Sequence, residues 1–299
     1  RGGGGKGFSA SQAGSKKSSI SAMQAQGKAF AKVMRKDGVC YVPDVLTPEQ
    51  ADALREWITG FRGQAEQDVS GGVPLTYRFA DVLLRQNRAD LKMPIGQPLV
   101  MDALTSILSQ DKGVLGHMAT ELLGGDPELY ELSCLISDPG SQRQIVHADT
   151  PYGGQGGLDG DSPVIFTFFI ALQDVKEDMG ATVWLPGTHT RKAHDIFAGK
   201  EKDELLRTAP IRLGMLPKGC MGAFDSRLLH CGGANRSGDS RAIFYLSFKN
   251  AKVANAGNPG SISPELVGAL RLSTLQKELG VREEVGNSDA LDKIVAQMR

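Results

Sequence analysis

The spacing of hydrophobic positions changes near residue 126, and this change divides the chain into two parts. Before that point, apolar residues recur every three or four positions, which is the spacing of one face of a helix. A first helix is predicted from Ile20 to Asp37, with Phe30, Val33 and Met34 on its buried face. Gly38 follows directly, and glycine is the usual residue just beyond the end of a helix.

A second helix has a clear start signal in Thr47-Pro48-Glu49-Gln50. Threonine is a favoured N-cap, proline is favoured at the first helical position, and the glutamine completes a capping box. A short strand is expected before it, at Val39 to Val42. Two more helices are predicted at Met101 to Leu108 and Leu115 to Leu122, so the first part should be helical. The apolar face of the second helix comprises Leu54, Trp57, Ile58 and Phe61.

The second part consists of short hydrophobic segments separated by glycine, proline and aspartate. Predicted strands are residues 130–136, 164–172, 182–185, 210–213, 220–224, 227–230 and 241–248, and residues 144–152 are a further candidate. Short strands at this spacing are typical of a β-sandwich or jelly roll. Helices return at Ser263-Pro264-Glu265 and near Asp289 to Met298. We therefore predict an α+β protein, a mainly β core flanked by N- and C-terminal helices.

Charge is balanced, with 34 lysines and arginines against 34 aspartates and glutamates. No overall field favours nucleic acid as a partner, and no run of about 18 apolar residues could span a membrane. We expect a monomer that acts on a small molecule. The four cysteines have no C-x-x-C spacing and lie in apolar runs, which is typical of reduced thiols in an intracellular compartment.

The first segment, residues 1–19, is rich in glycine, serine and lysine and has almost nothing apolar to bury. We expect it to be a disordered basic tail, with residues 20–299 as a single domain. The first acidic residue is Asp37, and every earlier charge is basic. Such a start is typical of a solubilising tail or, as a less favoured alternative, of a transit-peptide remnant, so the compartment is cytoplasmic or organellar.

The candidate chemistry begins with His147 and Asp149 in the candidate strand 144–152. Residues two apart on a strand point to the same face, so this pair can hold one metal ion together. A third ligand from elsewhere would complete a 2-His-1-carboxylate triad, which is typical of non-haem Fe(II) oxygenases. The alternative is a histidine and an aspartate hydrogen bonded in a loop.

Four other histidines could supply the third ligand. His117 lies on a predicted helix, and His189 and His194 lie in turn-like or polar segments where loop hydrogen bonds are expected. His230 ends a predicted strand and precedes two glycines, which allow another group to approach closely. The last predicted strand opens with Arg241, whose guanidinium is a natural bidentate partner for a carboxylate.

In these residues the chain resembles the phytanoyl-CoA dioxygenase (PhyH-like) family of Fe(II)/2-oxoglutarate-dependent oxygenases. The resemblance runs from about Phe30 to about Phe248 and depends on the order and spacing of several motifs. These are residues 37–47, His147-x-Asp149, residues 171–175 leading through Gly180 to residues 185–189, residues 224–230, Asn235 and Arg241. The family implies a double-stranded β-helix, the cupin-like jelly roll.

The resemblance also implies roles for single residues. His147, Asp149 and His230 would be the catalytic iron ligands, and Arg241 would bind the distal carboxylate of 2-oxoglutarate. Phe169 stands where the family often has an aromatic residue beside this cosubstrate, although core packing is the favoured alternative. Gln144 would touch the cosubstrate or the substrate. A small hydroxyl residue often stands two positions after the second histidine, whereas this chain has Gly232.

The implied reaction uses Fe(II), 2-oxoglutarate and O2, and it hydroxylates or otherwise oxidises a small molecule with release of succinate and CO2. Related halogenases lack the carboxylate ligand, so Asp149 favours hydroxylation. Two other classes remain open: a jelly-roll metal-binding or regulatory protein without turnover, and a zinc hydrolase.

The sequence indicates less about the substrate than about the metal site. Five basic residues could bind an anionic substrate, although ordinary solvated charge is the favoured interpretation. They are Arg78, Arg85, Arg88, Lys92 and Arg143. The glycine-rich segment from Tyr152 to Asp161 could be a lid over the substrate or the flexible end of a hairpin.

Overall fold

The N-terminal elements follow the hydrophobic pattern closely. The computed structural model describes residues 7–74, 79–152, 164–253 and 259–285. Helix α1 (Gly7–Asp37) leads into strand β1 (Val39–Val42) and helix α2 (Pro48–Ser70). The predicted capping box is present, because the Thr47 hydroxyl accepts from the Gln50 N–H and the Gln50 side chain accepts from the Thr47 N–H. Local sequence therefore fixes where α2 begins.

Helix α1 begins earlier than the sequence pattern predicts. It includes residues 7–19, which we expected to be disordered, whereas Arg1 to Lys6 lie outside the described residues. The packed part of α1 lies further on, where Ala31 and Met34 are buried. Once that part is helical, each added residue gains a backbone hydrogen bond without a new nucleation cost. The helix can therefore extend through a segment that has little apolar surface.

The first part also contains two strands that the pattern did not predict. Strands β2 (Phe79–Arg85) and β3 (Arg88–Lys92) precede helices α3 (Pro98–Leu108) and α4 (Leu115–Leu123). All five residues of β3 are buried, including the charged Arg88, Asp90 and Lys92. The prediction of solvated charge was wrong for Arg88 and Lys92. Their strand has Ala89 and Leu91 on one face and these polar residues on the other.

The β region forms two antiparallel sheets. Its strands are β4 (Glu128–Ser137), β5 (Ile165–Ala171), β6 (Thr182–Trp184), β7 (Arg212–Leu213), β8 (Met221–Asp225), β9 (His230–Gly232) and β10 (Arg241–Lys249). The large sheet has the order β1-β8-β5-β10-β4-β3-β2, and the small sheet has the order β7-β6-β9. From β1 to β4 in this order, neighbouring strands are not consecutive in sequence, as the predicted jelly roll requires, whereas β4, β3 and β2 are consecutive.

The large sheet has two different faces. The outer face carries aromatic residues such as Phe168, Phe244 and Phe248, which belong to the main core together with the helices. The inner face meets the small sheet, where Trp184 packs against Phe224 with ring centroids 6.0 Å apart. Gly222 permits this approach, because a Cβ there would lie 2.5 Å from the Trp184 ring. The contact of Trp184 with Gly222 therefore sets the distance between the two sheets.

Helices α5 (Arg191–Ala198) and α6 (Lys202–Thr208) follow β6 and were not predicted. Their polar composition explains this, since α6 has no buried residue. At the C-terminus, Pro264–Leu266 forms only a 3-10 turn, and helix α7 (Leu272–Val285) begins later than expected. The predicted helix near Asp289 to Met298 and the segment 153–161 lie outside the described residues. No helix within the described ranges is long and apolar enough to cross a membrane.

The contact between Gly222 and Trp184 predicts a specific loss of stability. Gly222→Ala should lower the free energy of unfolding by about 1–3 kcal/mol, because the added methyl group overpacks the space between the sheets. Gly60→Ala is the matched control: Gly60 is exposed in α2 with no atom near its Cβ position, so alanine there should stabilise by about 0.5–1 kcal/mol. Urea unfolding measures both. An equal effect of the two substitutions would contradict the packing argument.

Candidate metal centre

Three side chains that the sequence singled out come together between the sheets. His147, Asp149 and His230 each offer a ligand atom, and these atoms lie within 4.8 Å of one another. Asp149 Oδ1 lies 3.6 Å from His147 Nε2 and 3.7 Å from His230 Nε2. His117, His189 and His194 lie elsewhere, with ring nitrogens near the carbonyl oxygens of Gln110, Arg35 and Arg227, respectively.

Backbone carbonyls orient both imidazoles of the cluster. His147 Nδ1 lies 2.8 Å from the carbonyl oxygen of Ile145, and His230 Nδ1 lies 2.9 Å from that of Leu228. A carbonyl accepts only, so in each neutral ring Nδ1 must carry the hydrogen, and Nε2 keeps its lone pair. Both Nε2 atoms face Asp149. This is the arrangement that metal-binding histidines usually have.

The segment that carries His147 and Asp149 is held to β9 by backbone hydrogen bonds. His147 and His230 exchange two of them, with N–O distances of 2.9 and 2.8 Å. On either side, Gln144 N–H donates to Gly232 and Asp149 N–H donates to Ser226. The structure has a single β-bridge here instead of the predicted strand. Ile145 is 84% exposed, so its side chain is not covered by the other described residues.

Burial differs among the three residues. His230 is buried, and burial lowers its pKa; the carboxylate of Asp149 opposes this shift and the nearby His147 adds to it. His147 and Asp149 have side chains about two-fifths exposed, at 41% and 38%. The cluster therefore has one wall in the protein interior and one side open to ligands.

Two buried arginines near this cluster lie on the two strands that flank β4. Arg88 on β3 and Arg241 on β10 are both paired with Ser137 on β4, so the three residues form one row on the inner face. Arg241 is 1% exposed, donates to the carbonyl of Gly180, and has no recorded partner for its Nε within the described residues. Burial and the nearby charge of Arg88 lower the pKa of Arg241 to about 10. This concentration of buried positive charge suits an anion.

Gln144 and Gly232 connect the arginine row to the metal-ligand cluster. The Gln144 side-chain oxygen accepts from the Gly232 N–H at 2.7 Å. A Cβ at residue 232 would lie 2.7 Å from that oxygen and 3.0 Å from an Arg88 nitrogen. A serine or threonine at residue 232 would therefore displace the side-chain end of Gln144.

Phe169 lies in the aromatic packing behind His230. Its ring is 5.0 Å from Phe224 and 5.5 Å from Tyr245, both edge-on. Phe224 in turn lies 4.9 Å from the His230 imidazole. Phe169 is therefore one ring removed from the metal-ligand cluster and is part of the inner core.

Sequence reasoning underestimated Arg88. It was grouped with solvated charges, but its guanidinium lies inside the protein and donates to the carbonyls of Gln142 and Gly233. The available signal was alternation, since Arg88, Asp90 and Lys92 share one face of a strand whose other face is apolar. Such a polar face can be a solvated edge or a barrel interior, and only strand pairing distinguishes them. Arg143, by contrast, is exposed as predicted.

The turn before His230 depends on a buried ion pair. Asp225 binds the Arg227 guanidinium through two hydrogen bonds of 2.9 and 2.6 Å, and both side chains are about 95% buried or more. Arg227 also donates to the hydroxyl of Tyr152, which lies three residues after Asp149. The pair therefore ties both ligand-bearing segments together.

Comparison with known proteins gives one family match. The family model "Phytanoyl-CoA dioxygenase (PhyH)" matches residues 34–243. A curated relative, "Dioxygenase easH" from Epichloe festucae var. lolii, is 29% identical over 108 residues. That alignment covers 36% of this chain and 54% of the relative, so the match spans about half of the curated protein's length.

Solved structures share the fold at low sequence identity. AviO1 from Streptomyces viridochromogenes Tue57 superposes with a TM-score of 0.55 at 19% identity, over 76% of this chain and 96% of that one. EctD from S. alaskensis was solved with 2-oxoglutarate and 5-hydroxyectoine. It superposes with a TM-score of 0.54 at 15% sequence identity, over 81% of this chain and 83% of that one. The epimerase SnoN was solved with Fe3+, alpha ketoglutarate and nogalamycin RO. It superposes with a TM-score of 0.54 at 18% sequence identity, over 78% of this chain and 87% of that one. The predicted jelly-roll fold is confirmed.

Loss of the ion pair before His230 should be costly. Asp225→Ala leaves the Arg227 charge without its carboxylate in the interior and should lower the free energy of unfolding by about 3–5 kcal/mol. Glu204→Ala, which breaks the exposed pair with Arg207, is the control and should cost less than about 1 kcal/mol. Chemical denaturation of both variants tests this. A loss at Asp225 as small as that at Glu204 would contradict a structural role for the pair.

Proposed function

The chain belongs to the phytanoyl-CoA dioxygenase family, and from that premise we propose that it is an Fe(II)- and 2-oxoglutarate-dependent dioxygenase. It oxidises a C–H bond of a small molecule and releases succinate and CO2. The observation that carries this proposal is the cluster of His147, Asp149 and His230, with both Nε2 lone pairs directed at the carboxylate.

The donor set suits iron better than structural zinc. Two imidazoles and one carboxylate leave half of an octahedron for cosubstrate and oxygen, which is the pattern of non-haem Fe(II) oxygenases. Structural zinc sites are closed by four protein ligands. No fourth histidine, cysteine or acidic side chain joins the three within the described part of the chain. His147, Asp149 and His230 would therefore be the iron ligands.

When bound, iron with 2-oxoglutarate and O2 supplies the oxidising power: one oxygen atom enters succinate, the other the substrate, and CO2 leaves. The protein's own residues position and insulate these components. The carbonyls of Ile145 and Leu228 hold the two imidazoles in the correct tautomer. Phe169, Phe224 and Tyr245 exclude water behind His230. In this proposal Phe169 acts as a wall of the cosubstrate pocket.

The buried arginines provide the charge that 2-oxoglutarate needs. A dicarboxylate carries two negative charges, and one end of it binds the metal in this enzyme class. Arg241 would pair with the distal carboxylate, and Arg88, beside it in the same row, would add a second positive charge. EctD and SnoN, which share this fold, were solved with 2-oxoglutarate and alpha ketoglutarate, respectively. Gln144 would orient Gly232 so that the cosubstrate passes close to the backbone.

Several broader expectations remain proposals. The four cysteines are free and buried, which supports a reducing compartment, cytoplasmic or organellar. We also propose that residues 20–299 act as one domain and as a monomer, and that the substrate is a small molecule. Of the basic residues first considered for an anionic substrate, we propose that Arg88 binds the cosubstrate.

Removal of a proposed iron ligand should abolish the metal complex. Anaerobic Fe(II) with 2-oxoglutarate should give a weak visible charge-transfer band in the wild-type protein, and His147→Ala should eliminate it. His117→Ala removes a helical histidine outside the cluster and should retain the band. Absorption spectroscopy under nitrogen measures this. A band that survives His147→Ala would remove His147 from the ligand set.

Removal of a buried guanidinium should weaken cosubstrate binding. Truncating one partner of a buried charge pair costs about 2–5 kcal/mol, so Arg241→Leu should raise the apparent 2-oxoglutarate requirement more than about tenfold. Arg88→Leu should raise it in the same direction. Arg143→Leu, an exposed arginine next to Gln144, is the control and should leave it unchanged. Titration of the charge-transfer band with 2-oxoglutarate gives all four values. An unchanged requirement in Arg241→Leu would exclude this residue from the site.

A further inference from the structure

The inner face of the large sheet has opposite charges at its two ends. Strand register places Arg88, Ser137 and Arg241 in one row. Glu131 lies six residues before Ser137 on β4, which is about 20 Å at the usual rise per residue. It is paired with Ser247 of β10. Ser247 is paired on its other side with Thr167. The two arginines therefore lie at one end of this face and Glu131 at the other, with Asp90 and Lys92 in the rows between them.

The metal-ligand segment runs between these two ends. Gln144 is hydrogen bonded to Gly232, next to Arg88. Asp149 is bonded to Ser226, whose own N–H donates to Ile165 on β5. Ile165 lies beyond Thr167, at the Glu131 end of the sheet. The proposed cosubstrate pocket thus lies on the arginine side of the metal centre, which leaves the Glu131 side for the substrate.

Taken together, the described residues around Glu131 do not stabilise a negative charge on its side chain. Burial raises its pKa to about 8, the Ser247 hydroxyl opposes this shift, and the negative charges of Asp149 and Asp90 add to it. No lysine, arginine or histidine forms a recorded ion pair with Glu131 within the described ranges. Its side chain nevertheless keeps some accessible surface.

The neighbouring carboxylate, Asp90, is different. It accepts hydrogen bonds from the hydroxyls of Tyr245 and Ser261 at 2.8 and 2.9 Å. Lys92, two residues along the same face of β3, also interacts with its charge. Asp90 is therefore part of the protein's own polar network, whereas Glu131 lacks a cationic counterpart there.

We propose that Glu131 is a specificity-determining residue that binds a protonated amine of the substrate. An interior carboxyl group without a basic partner gains most from a ligand that is a positively charged hydrogen-bond donor. A substrate amine held by Glu131 would direct the carbon atoms next to it towards the metal centre. The inference rests on the proposed function, because it assumes that oxidation takes place at His147, Asp149 and His230.

The test uses a metabolite extract separated into cationic, neutral and anionic pools. Each pool is added to the iron-loaded protein with 2-oxoglutarate and O2, and succinate is measured. Wild-type protein should respond to the cationic pool. Glu131→Gln keeps the shape but cannot become a carboxylate opposite the amine, and it should reduce this response more than about tenfold. Glu131→Asp, which keeps the charge, should retain part of it. Glu204→Gln, an exposed carboxylate on α6, is the control.

The anaerobic charge-transfer band separates the two proposals. A band of normal intensity in Glu131→Gln shows that iron and 2-oxoglutarate still bind, so a lost response to the cationic pool is then specific to the substrate. A wild-type protein without the band would refute the proposed function instead. With the band present, a response only to the neutral or anionic pool, or to no pool, overturns the role of Glu131. An undiminished cationic response in Glu131→Gln overturns it as well.

Discussion

The candidate site depends on one short backbone contact. His147 and His230 exchange two hydrogen bonds across an isolated β-bridge, and this pairing fixes the distance between two imidazoles from distant parts of the chain. The contact is small, so it needs support on both sides. Gln144 binds Gly232 on one side, and Asp149 binds Ser226 on the other. The buried pair of Asp225 and Arg227 holds the turn between them.

The barrel interior contains several charged side chains. Arg88 and Arg241 lie at one end of the inner face and Glu131 at the other, with Asp90 and Lys92 in the rows between. Burying unpaired charge is costly, so such an arrangement persists where ligands complete it. A dianionic cosubstrate at the arginine end and a cationic substrate at the Glu131 end would each have a charge opposite to that of the side chains that we propose bind them.

Parts of the fold could be predicted because their signals are local. The start of α2 is determined by the capping box at Thr47 and Gln50, and β4 and β10 follow from apolar runs of strand length. Strand β3 was missed because its polar inner face resembles a solvated one. Helix α6 was missed because it buries nothing. The N-terminal extension of α1 was missed because it depends on a nucleus further along the helix.

The sequence alone determined the residue types and their order: a histidine two positions before an aspartate, a later histidine, and an arginine opening the last strand. The resemblance drawn from that order led to the family that the chain belongs to. Only the tertiary structure decided that Arg88 lies beside Arg241 and that Glu131 lies at the opposite end of the barrel. These positions follow from the pairing of distant strands, and pairing depends on the whole sheet closing at once, which no local pattern contains.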